Sequence, residues 1–203
     1  MRISKRHALP VVLAVLSAAL TAATPQTRDV DGVARDLFRP AGPVGVILFI
    51  ASDCPVSNGY APEIQRICDG VRSKGGSCTL VYEDSSIDAA AVRAHRDEYR
   101  YREIPAVIDH DHAIARRAKA TVTPQTVVVT PAGVIKYRGR IDDRYIALGK
   151  ERRVVTSYDL RDAIETLRAD GKTTITDKGF VVAHPAIAMK YQAKLFIRAC
   201  GGE

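Results

Sequence analysis

Hydrophobic runs alternate with segments of helical spacing along the central part of the chain. Residues 44–50 form a nearly continuous apolar, β-branched run, which predicts a strand covered on both faces within a parallel sheet. After Pro55, the apolar residues Ile64, Ile67 and Val71 recur at helical spacing, which predicts a helix. A buried strand therefore leads directly into a helix.

The alternation continues downstream, and it ends in a hairpin. Further strands are predicted at residues 78–82, 105–109, 126–130 and 134–137, with helices at 86–99, 113–120 and 157–168. The last two strands are joined by a short Pro-Ala-Gly turn, so they are expected to pair antiparallel. This order predicts an α/β fold with a mixed central sheet and helices on both faces.

The first 23 residues have the three-part order of a secretory signal peptide. A basic start is followed by an apolar run over residues 8–19 and by small residues up to Ala23. That run is shorter than the ~20 residues needed to span a bilayer. We expect a signal peptide at 1–23, a mature domain at 24–175 and a C-terminal extension at 176–203. The mature chain is expected in the periplasm or outside the cell, with no membrane span.

The net charge of the chain does not indicate a nucleic-acid partner once the predicted export segment is removed. The formal net charge of +7 includes three basic and no acidic residues from positions 1–23, and the remainder holds 27 basic and 23 acidic residues. Only eight Tyr, four Phe and no Trp could stack on bases. A nucleic-acid partner is therefore not predicted.

Cys54 stands at the junction of the buried strand and the helix after it. A helix N-terminus favours a thiolate over a thiol, and the thiolate is the reactive form. The neighbouring Asp53 opposes this effect. Cys54 is therefore a candidate nucleophile, the alternative being a small buried residue with no chemical role.

Several motifs around Cys54 together resemble the redoxin family, the thioredoxin-fold group that includes AhpC/TSA relatives. They are the strand ending at Cys54 with Asp-Cys-Pro-Val-Ser after it, Thr123-Pro124 before a strand, and residues 137–143 after the hairpin. The resemblance covers about residues 29–172 and implies a thioredoxin-like fold. It also implies that Cys54 is the attacking cysteine and that Thr123 and a cis Pro124 face it.

Two departures from the family pattern bear on the activity. Ser57 stands where dithiol members have the second cysteine of Cys-x-x-Cys, so it could donate a hydrogen bond to Cys54 but could not release a mixed disulfide. Peroxidase members carry Thr and Arg where this chain has Ala51 and Pro124. The loss of both groups argues against efficient peroxide reduction.

The other three cysteines differ in whether they could react with Cys54 or with each other. Cys68 lies 14 residues along the predicted helix, about 21 Å from Cys54, and cannot resolve it. Cys68 and Cys78 flank a turn and could form a structural disulfide or remain two buried thiols. Cys200 is the candidate for an intramolecular resolving cysteine, and whether it has this role is left open.

Several other polar positions are assigned to the surface. Residues 110–112 (His-Asp-His) are expected in a solvated loop, and His95 is expected to be partly exposed on a helix. Asp142 and Asp143 are expected in surface or hairpin-end ion pairs with nearby arginines. No cofactor and no metal site is predicted.

The sequence therefore predicts an exported thiol–disulfide oxidoreductase-like protein that uses Cys54 as a single nucleophile. Its partner would be a protein with a disulfide or thiol, or a small oxidant. Two alternatives remain open, a thiol peroxidase and a binding module that keeps the groove around Pro124 without turnover. The oligomeric state is not indicated.

Overall fold

The structure is a computed structural model in which residues 27–147, 150–170 and 176–178 are described. Its strands are β1 (Thr27–Arg28), β2 (Ala34–Arg35), β3 (Gly45–Ile50), β4 (Ser77–Tyr82), β5 (Ala106–Ile108), β6 (Gln125–Val129), β7 (Ile135–Gly139), β8 (Tyr145–Ala147), β9 (Lys150–Glu151) and β10 (Thr176–Lys178). Its helices are α1 (Pro55–Gly59), α2 (Ala61–Arg72), α3 (Ala89–Glu98), α4 (Ala113–Ala118) and α5 (Asp159–Asp170).

The main sheet is mixed, as predicted, and β3 lies near its centre. The strand order is β10-β7-β6-β3-β4-β5. β3 pairs parallel with β4 and antiparallel with β6, and β6 pairs antiparallel with β7. β10, which falls in the segment predicted as a C-terminal extension, pairs parallel with β7 at the edge. The carboxyl end of β3, which leads to Cys54, therefore lies between the carboxyl end of β4 and the start of β6.

Two hydrophobic clusters cover the two faces of this sheet. Along β3, Val46, Leu48 and Ile50 face one cluster, and Ile47 and Phe49 face the other. The alternation follows from the twofold period of a strand, and all six residues of β3 are buried. Helices α2, α3 and α5 contribute to the first cluster and α4 to the second. The prediction of helices on both faces is confirmed.

The helix predicted after Pro55 is divided into α1 and α2. Tyr60 is the C-cap of α1 and the N-cap of α2, and its N–H donates to the carbonyls of Val56 and Ser57. Pro62 has no N–H with which to continue the α-helical hydrogen bonds, so the first helix ends here. The division makes α1 a short segment that carries Cys54 at its start.

Helix α3 begins later than its predicted start at residue 86. The side chain of Asp88 accepts a 2.8 Å hydrogen bond from the N–H of Ala91, which makes Asp88 the N-cap. Within the described part of the chain, no helix is long and apolar enough to cross a membrane.

Replacing Gly70 with Ala should stabilise the protein. Gly70 lies on the exposed face of α2, and a Cβ there would meet nothing within 4 Å. Because glycine is the costlier residue inside a helix, we expect a gain of about 0.5–1 kcal/mol in the free energy of unfolding. Urea unfolding followed by circular dichroism measures it.

The matched control for this prediction is Gly133→Ala. Gly133 has a φ of +80°, and an added Cβ would lie 3.4 Å from the carbonyl oxygen of Phe38. This variant should lose stability, because side chains other than glycine are strained at positive φ. Equal changes in the two variants would contradict the helix-propensity explanation.

Candidate functional site

Cys54 is the N-cap residue of α1 and is fully buried. Its backbone is extended, with φ −80° and ψ 110°, and its Sγ accepts a hydrogen bond from the N–H of Ser57 at 3.5 Å. Cys54 is disulfide-bonded, whereas Cys68 and Cys78 are free thiols. A sulfur that receives a backbone N–H at the start of a helix is stabilised as a thiolate when the disulfide is reduced.

The Thr123–Pro124 segment faces Cys54 from the neighbouring strand. The peptide bond between these two residues is cis, and the Thr123 carbonyl oxygen lies 4.0 Å from the Cys54 Sγ. Gln125, the first residue of β6, is buried, and its Oε1 accepts hydrogen bonds from the N–H groups of Thr121 (2.6 Å) and Val122 (3.3 Å). Gln125 thus holds the loop that presents the Thr123 carbonyl to the sulfur.

Ser57 lies beside the sulfur but contributes its backbone rather than its hydroxyl. Its side chain is buried, and its Oγ has no hydrogen-bond partner in the described part of the chain. With Cys54 in a disulfide, the backbone N–H of Ser57 donates to the sulfur and the hydroxyl does not, and the hydrogen bond from the hydroxyl to a Cys54 thiolate stays a prediction. Ala51, where peroxidase members carry Thr, is buried, and its carbonyl oxygen accepts from the Cys54 N–H at 3.3 Å.

Cys68 and Cys78 are brought together as thiols and not as a disulfide. Both are buried in the main cluster. Burial raises the pKa of the Cys68 thiol well above its ordinary value, and a hydrogen bond with Cys78 adds to the effect. Of the two possibilities left open by the sequence, two buried thiols is the one observed. Cys200 lies outside the described residues.

A chain of hydrogen bonds ties the Cys54 loop to α3. The Asn58 amide Nδ2 donates to the Ser52 carbonyl at 2.9 Å, and the Asn58 Oδ1 lies 3.0 Å from the His95 Nε2. The other ring nitrogen, His95 Nδ1, lies 2.8 Å from the Tyr82 hydroxyl. The Ser52 N–H donates to the Asp84 carboxylate at 2.9 Å. Residues from β4, α1 and α3 therefore meet behind Cys54.

His95 is buried, so its expected partial exposure on the helix is wrong. Its ring also packs against Tyr99, with a centroid distance of 4.5 Å. Val92, His95 and Tyr99 share one face of α3 by their spacing, and Val92 is fully buried. That spacing is the sequence signal that would have placed His95 inward.

The two aspartates at 142 and 143 form ion pairs with nearby arginines, Arg144 and Arg152, as expected, but both are buried, which corrects the prediction of a surface position. Asp142 accepts a 2.5 Å hydrogen bond from the hydroxyl of Tyr60. Hydrogen bonds from Thr156, foremost from its hydroxyl, lower the pKa of Asp143 to about 2. Arg144 donates to the Gly59 carbonyl at 3.2 Å, so the segment holding these aspartates covers the end of α1.

His112 contacts a buried carboxyl, which corrects its expected place in a solvated loop. Its Nδ1 lies 2.7 Å from Oε2 of Glu83, and the Glu83 side chain is buried. Burial raises the pKa of Glu83 to about 9, and the nearby carboxylates of Asp109 and Asp84 add to the shift. Among the described residues, no group of three His, Cys, Asp or Glu side chains could hold a metal ion.

The chain is similar in structure to several solved proteins. An uncharacterized conserved protein from Geobacillus kaustophilus is 21% identical, with 74% of this chain and 82% of that chain covered and a TM-score of 0.61. A thioredoxin-like protein from Aeropyrum pernix is 13% identical, with 70% and 89% covered and a TM-score of 0.54. The thioredoxin domain of a thiol–disulfide oxidoreductase from Bacteroides vulgatus is 16% identical, with 71% and 94% covered and a TM-score of 0.50.

At these identities the similarity establishes the thioredoxin-like fold. A comparison with curated proteins gave no significant match. The model of the AhpC/TSA family matches residues 18–138, more than half of the chain. This range includes the Cys54 junction, the cis Pro124 and all but the last residue of the hairpin after it. With that match and the thioredoxin-like fold, the chain belongs to the AhpC/TSA family.

Proposed function

We propose that this protein is an exported thiol–disulfide oxidoreductase in which Cys54 is the attacking cysteine. The observation that carries the proposal is the position of the Cys54 sulfur. It receives the N–H of Ser57 at 3.5 Å and lies 4.0 Å from the Thr123 carbonyl next to a cis proline. We infer that the backbone next to the cis Pro124 pairs with the backbone of a protein substrate.

Cys200 is the second cysteine of the proposed cycle. The chain has four cysteines, and Cys68 and Cys78 are buried free thiols. Cys54 is disulfide-bonded, and Cys200 is the remaining cysteine of the chain. A disulfide between Cys54 and Cys200 would replace the one that Cys-x-x-Cys proteins form, which Ser57 prevents here.

The reduced protein would pass two electrons to its substrate in two exchange steps. The Cys54 thiolate attacks one sulfur of a protein disulfide, so that a Cys54–substrate bond forms and the other substrate sulfur leaves as a thiolate. The Cys200 thiolate then attacks the Cys54 sulfur and releases the second substrate thiolate. An external thiol reductant returns the protein to the dithiol state, and the same steps in reverse would oxidise a dithiol substrate.

Export is part of the proposal, because the disulfides of substrate proteins form and persist in oxidising compartments. It is supported by the order of residues 1–23, where a basic start, an apolar run and small residues up to Ala23 precede the first strand. N-terminal sequencing of the protein purified from the extracytoplasmic fraction should begin at Thr24. A chain recovered only from the cytoplasm with Met1 intact would contradict it.

The activity is tested by the reduction of insulin disulfides in the presence of a small thiol. Wild-type protein should accelerate the reaction, and Cys54→Ser should give the rate of the small thiol alone. Cys68→Ala is the matched control and should retain the wild-type rate, because Cys68 is buried away from the exchange. If hydrogen peroxide is consumed rapidly and insulin is not reduced, the protein is a peroxidase and the proposal is wrong.

A further inference from the structure

We propose that His95 is a positioning residue for Cys54 and acts through Asn58. This inference rests on the proposed role of Cys54 as the attacking cysteine. His95 lies on α3, outside the segment that carries the sulfur, and 41 positions later in the sequence. Its link to Cys54 is the hydrogen-bonded set of Ser52, Asn58, His95 and Tyr82, which we call the Asn58 bridge.

The donors and acceptors of the Asn58 bridge are fixed by elimination. The Ser52 carbonyl can only accept, so the Asn58 amide nitrogen must face it, and the Asn58 oxygen faces His95. The His95 Nε2 must then carry the hydrogen. In a neutral ring Nδ1 is an acceptor, which is satisfied by the hydroxyl of Tyr82.

The surroundings of His95 keep its ring in this neutral state. Burial lowers its pKa below the ordinary value of 6.5, although the carboxylate of Glu98 and a hydrogen bond from the ring to the Ser52 carbonyl act in the opposite direction. The rings of Tyr99 and Tyr101 lie beside the imidazole, with centroids at 4.5 and 6.2 Å, and restrict its orientation. His95 therefore presents one fixed N–H to Asn58.

Asn58 joins the two pieces of backbone whose relative position sets the environment of the sulfur. Its side chain holds the Ser52 carbonyl in the loop before Cys54, and its own N–H donates to the Cys54 carbonyl at 2.9 Å. The N–H that reaches the Cys54 sulfur belongs to Ser57, the residue before Asn58. Releasing Asn58 would let the loop move relative to α1 and weaken that hydrogen bond. The thiolate would lose stabilisation as a result.

Two substitutions of His95 separate the positioning role from simple packing. In His95→Gln the amide nitrogen can occupy the place of Nε2 and still donate to Asn58. In His95→Asn the shorter side chain can reach only the place of Nδ1, beside Tyr82. Both variants put an amide into the same buried site, so a general loss of packing would affect them alike.

The experiment measures the alkylation of Cys54 in the reduced protein by iodoacetamide between pH 5 and 9, with the Cys54 peptide followed by mass spectrometry. His95→Asn should raise the apparent pKa of the Cys54 thiol by about one unit, which lowers the alkylation rate about tenfold at pH values below the wild-type pKa. His95→Gln should remain close to wild type. In an Asn58→Ala background, already slow to alkylate, His95→Asn should have a clearly smaller effect than in the wild-type protein, because only the hydrogen bond between His95 and the Ser52 carbonyl remains to be lost.

A second readout is the equilibrium constant with glutathione for the disulfide of Cys54, which does not depend on access of iodoacetamide to the sulfur. A less stable thiolate shifts this equilibrium toward the oxidised protein, so His95→Asn should shift it several-fold and His95→Gln little. The inference is overturned if the two variants behave alike, or if their effects add to that of Asn58→Ala. A wild-type protein that fails to reduce insulin while these differences persist would instead contradict the proposed activity.

Discussion

Cys200→Ser is expected to stop turnover at the mixed disulfide. Without Cys200, Cys54 can still attack a substrate disulfide, but among the other cysteines Cys68 and Cys78 are buried free thiols. The covalent complex should therefore accumulate and be visible on non-reducing gels. An intramolecular thiol acts at an effective concentration in the millimolar range, so at micromolar external thiol we expect turnover to fall on the order of 100-fold.

A cysteine introduced at position 57 should restore the release of the mixed disulfide in the Cys200→Ser variant. Ser57 is buried beside the sulfur, with its backbone nitrogen 3.5 Å from the Cys54 Sγ. Ser57→Cys in the Cys200→Ser background would place a resolving thiol one turn along the helix. We expect this double variant to recover turnover and to release the trapped substrate, whereas Ser57→Ala in the same background should not.

Cys68→Ala provides the control for the loss of a cysteine as such. Cys68 is buried in the core, and its raised pKa keeps it a thiol at neutral pH. This variant should neither trap substrate nor lose turnover. If Cys200→Ser turns over like wild type, an external thiol resolves Cys54 and Cys200 has no part in the cycle.

Glu83→Gln is expected to stabilise the protein increasingly as the pH rises. An unfolded Glu loses its proton near pH 4.5, whereas the buried Glu83 holds its proton until about pH 9. Between these values folding takes up a proton, so the stability of the wild-type protein falls as the pH rises, by about 1.4 kcal/mol per pH unit for a full proton. Below pH 4.5 this dependence disappears.

The Gln side chain does not titrate and can still donate to the His112 nitrogen that lies 2.7 Å from Glu83 in the wild-type protein. The difference in unfolding free energy between the variant and wild type should therefore be small at pH 5 and about 2–4 kcal/mol at pH 8. Urea unfolding at a series of pH values measures the difference.

Glu103→Gln is the matched control for this series, because Glu103 is exposed. Its stability difference from wild type should be small and independent of pH. A constant difference for Glu83→Gln as well would mean that Glu83 ionises normally in the folded protein. That result would contradict the shifted titration of the buried carboxyl.

Much of the fold follows from local patterns in the sequence. The apolar run that forms β3 and the helical spacing of Ile64, Ile67 and Val71 depend only on residues a few positions apart. The break at Tyr60 could also have been predicted, because Pro62 ends the hydrogen bonds of the first helix. The mixed sheet could be predicted because strands that alternate with helices pair parallel, whereas the two strands of the hairpin pair antiparallel.

The polar positions were harder to assign. His95, His112, Asp142 and Asp143 are all hydrophilic residue types that are found at the surface of most proteins. Each is held inward by polar partners, such as Tyr82 and Asn58 for His95 and Glu83 for His112. These partners lie on other elements of the fold, and apart from the helical spacing that places His95 beside Val92, no local pattern indicates them.

The sequence by itself determined the order of strands and helices and the location of Cys54 where a buried strand turns into a helix. Both depend on short-range periodicity and on the stereochemistry of Pro55 at the helix start. The resemblance to the redoxin family implied that Thr123 and Pro124 face that cysteine, and the tertiary structure shows how the fold brings them there and adds His95. The Thr123 carbonyl is 69 residues away in sequence, and His95 reaches Asn58 across 37 residues. These approaches are set by the pairing of β3 with β6 and the packing of α3, because sheet pairing and helix packing bring together residues that no local pattern relates.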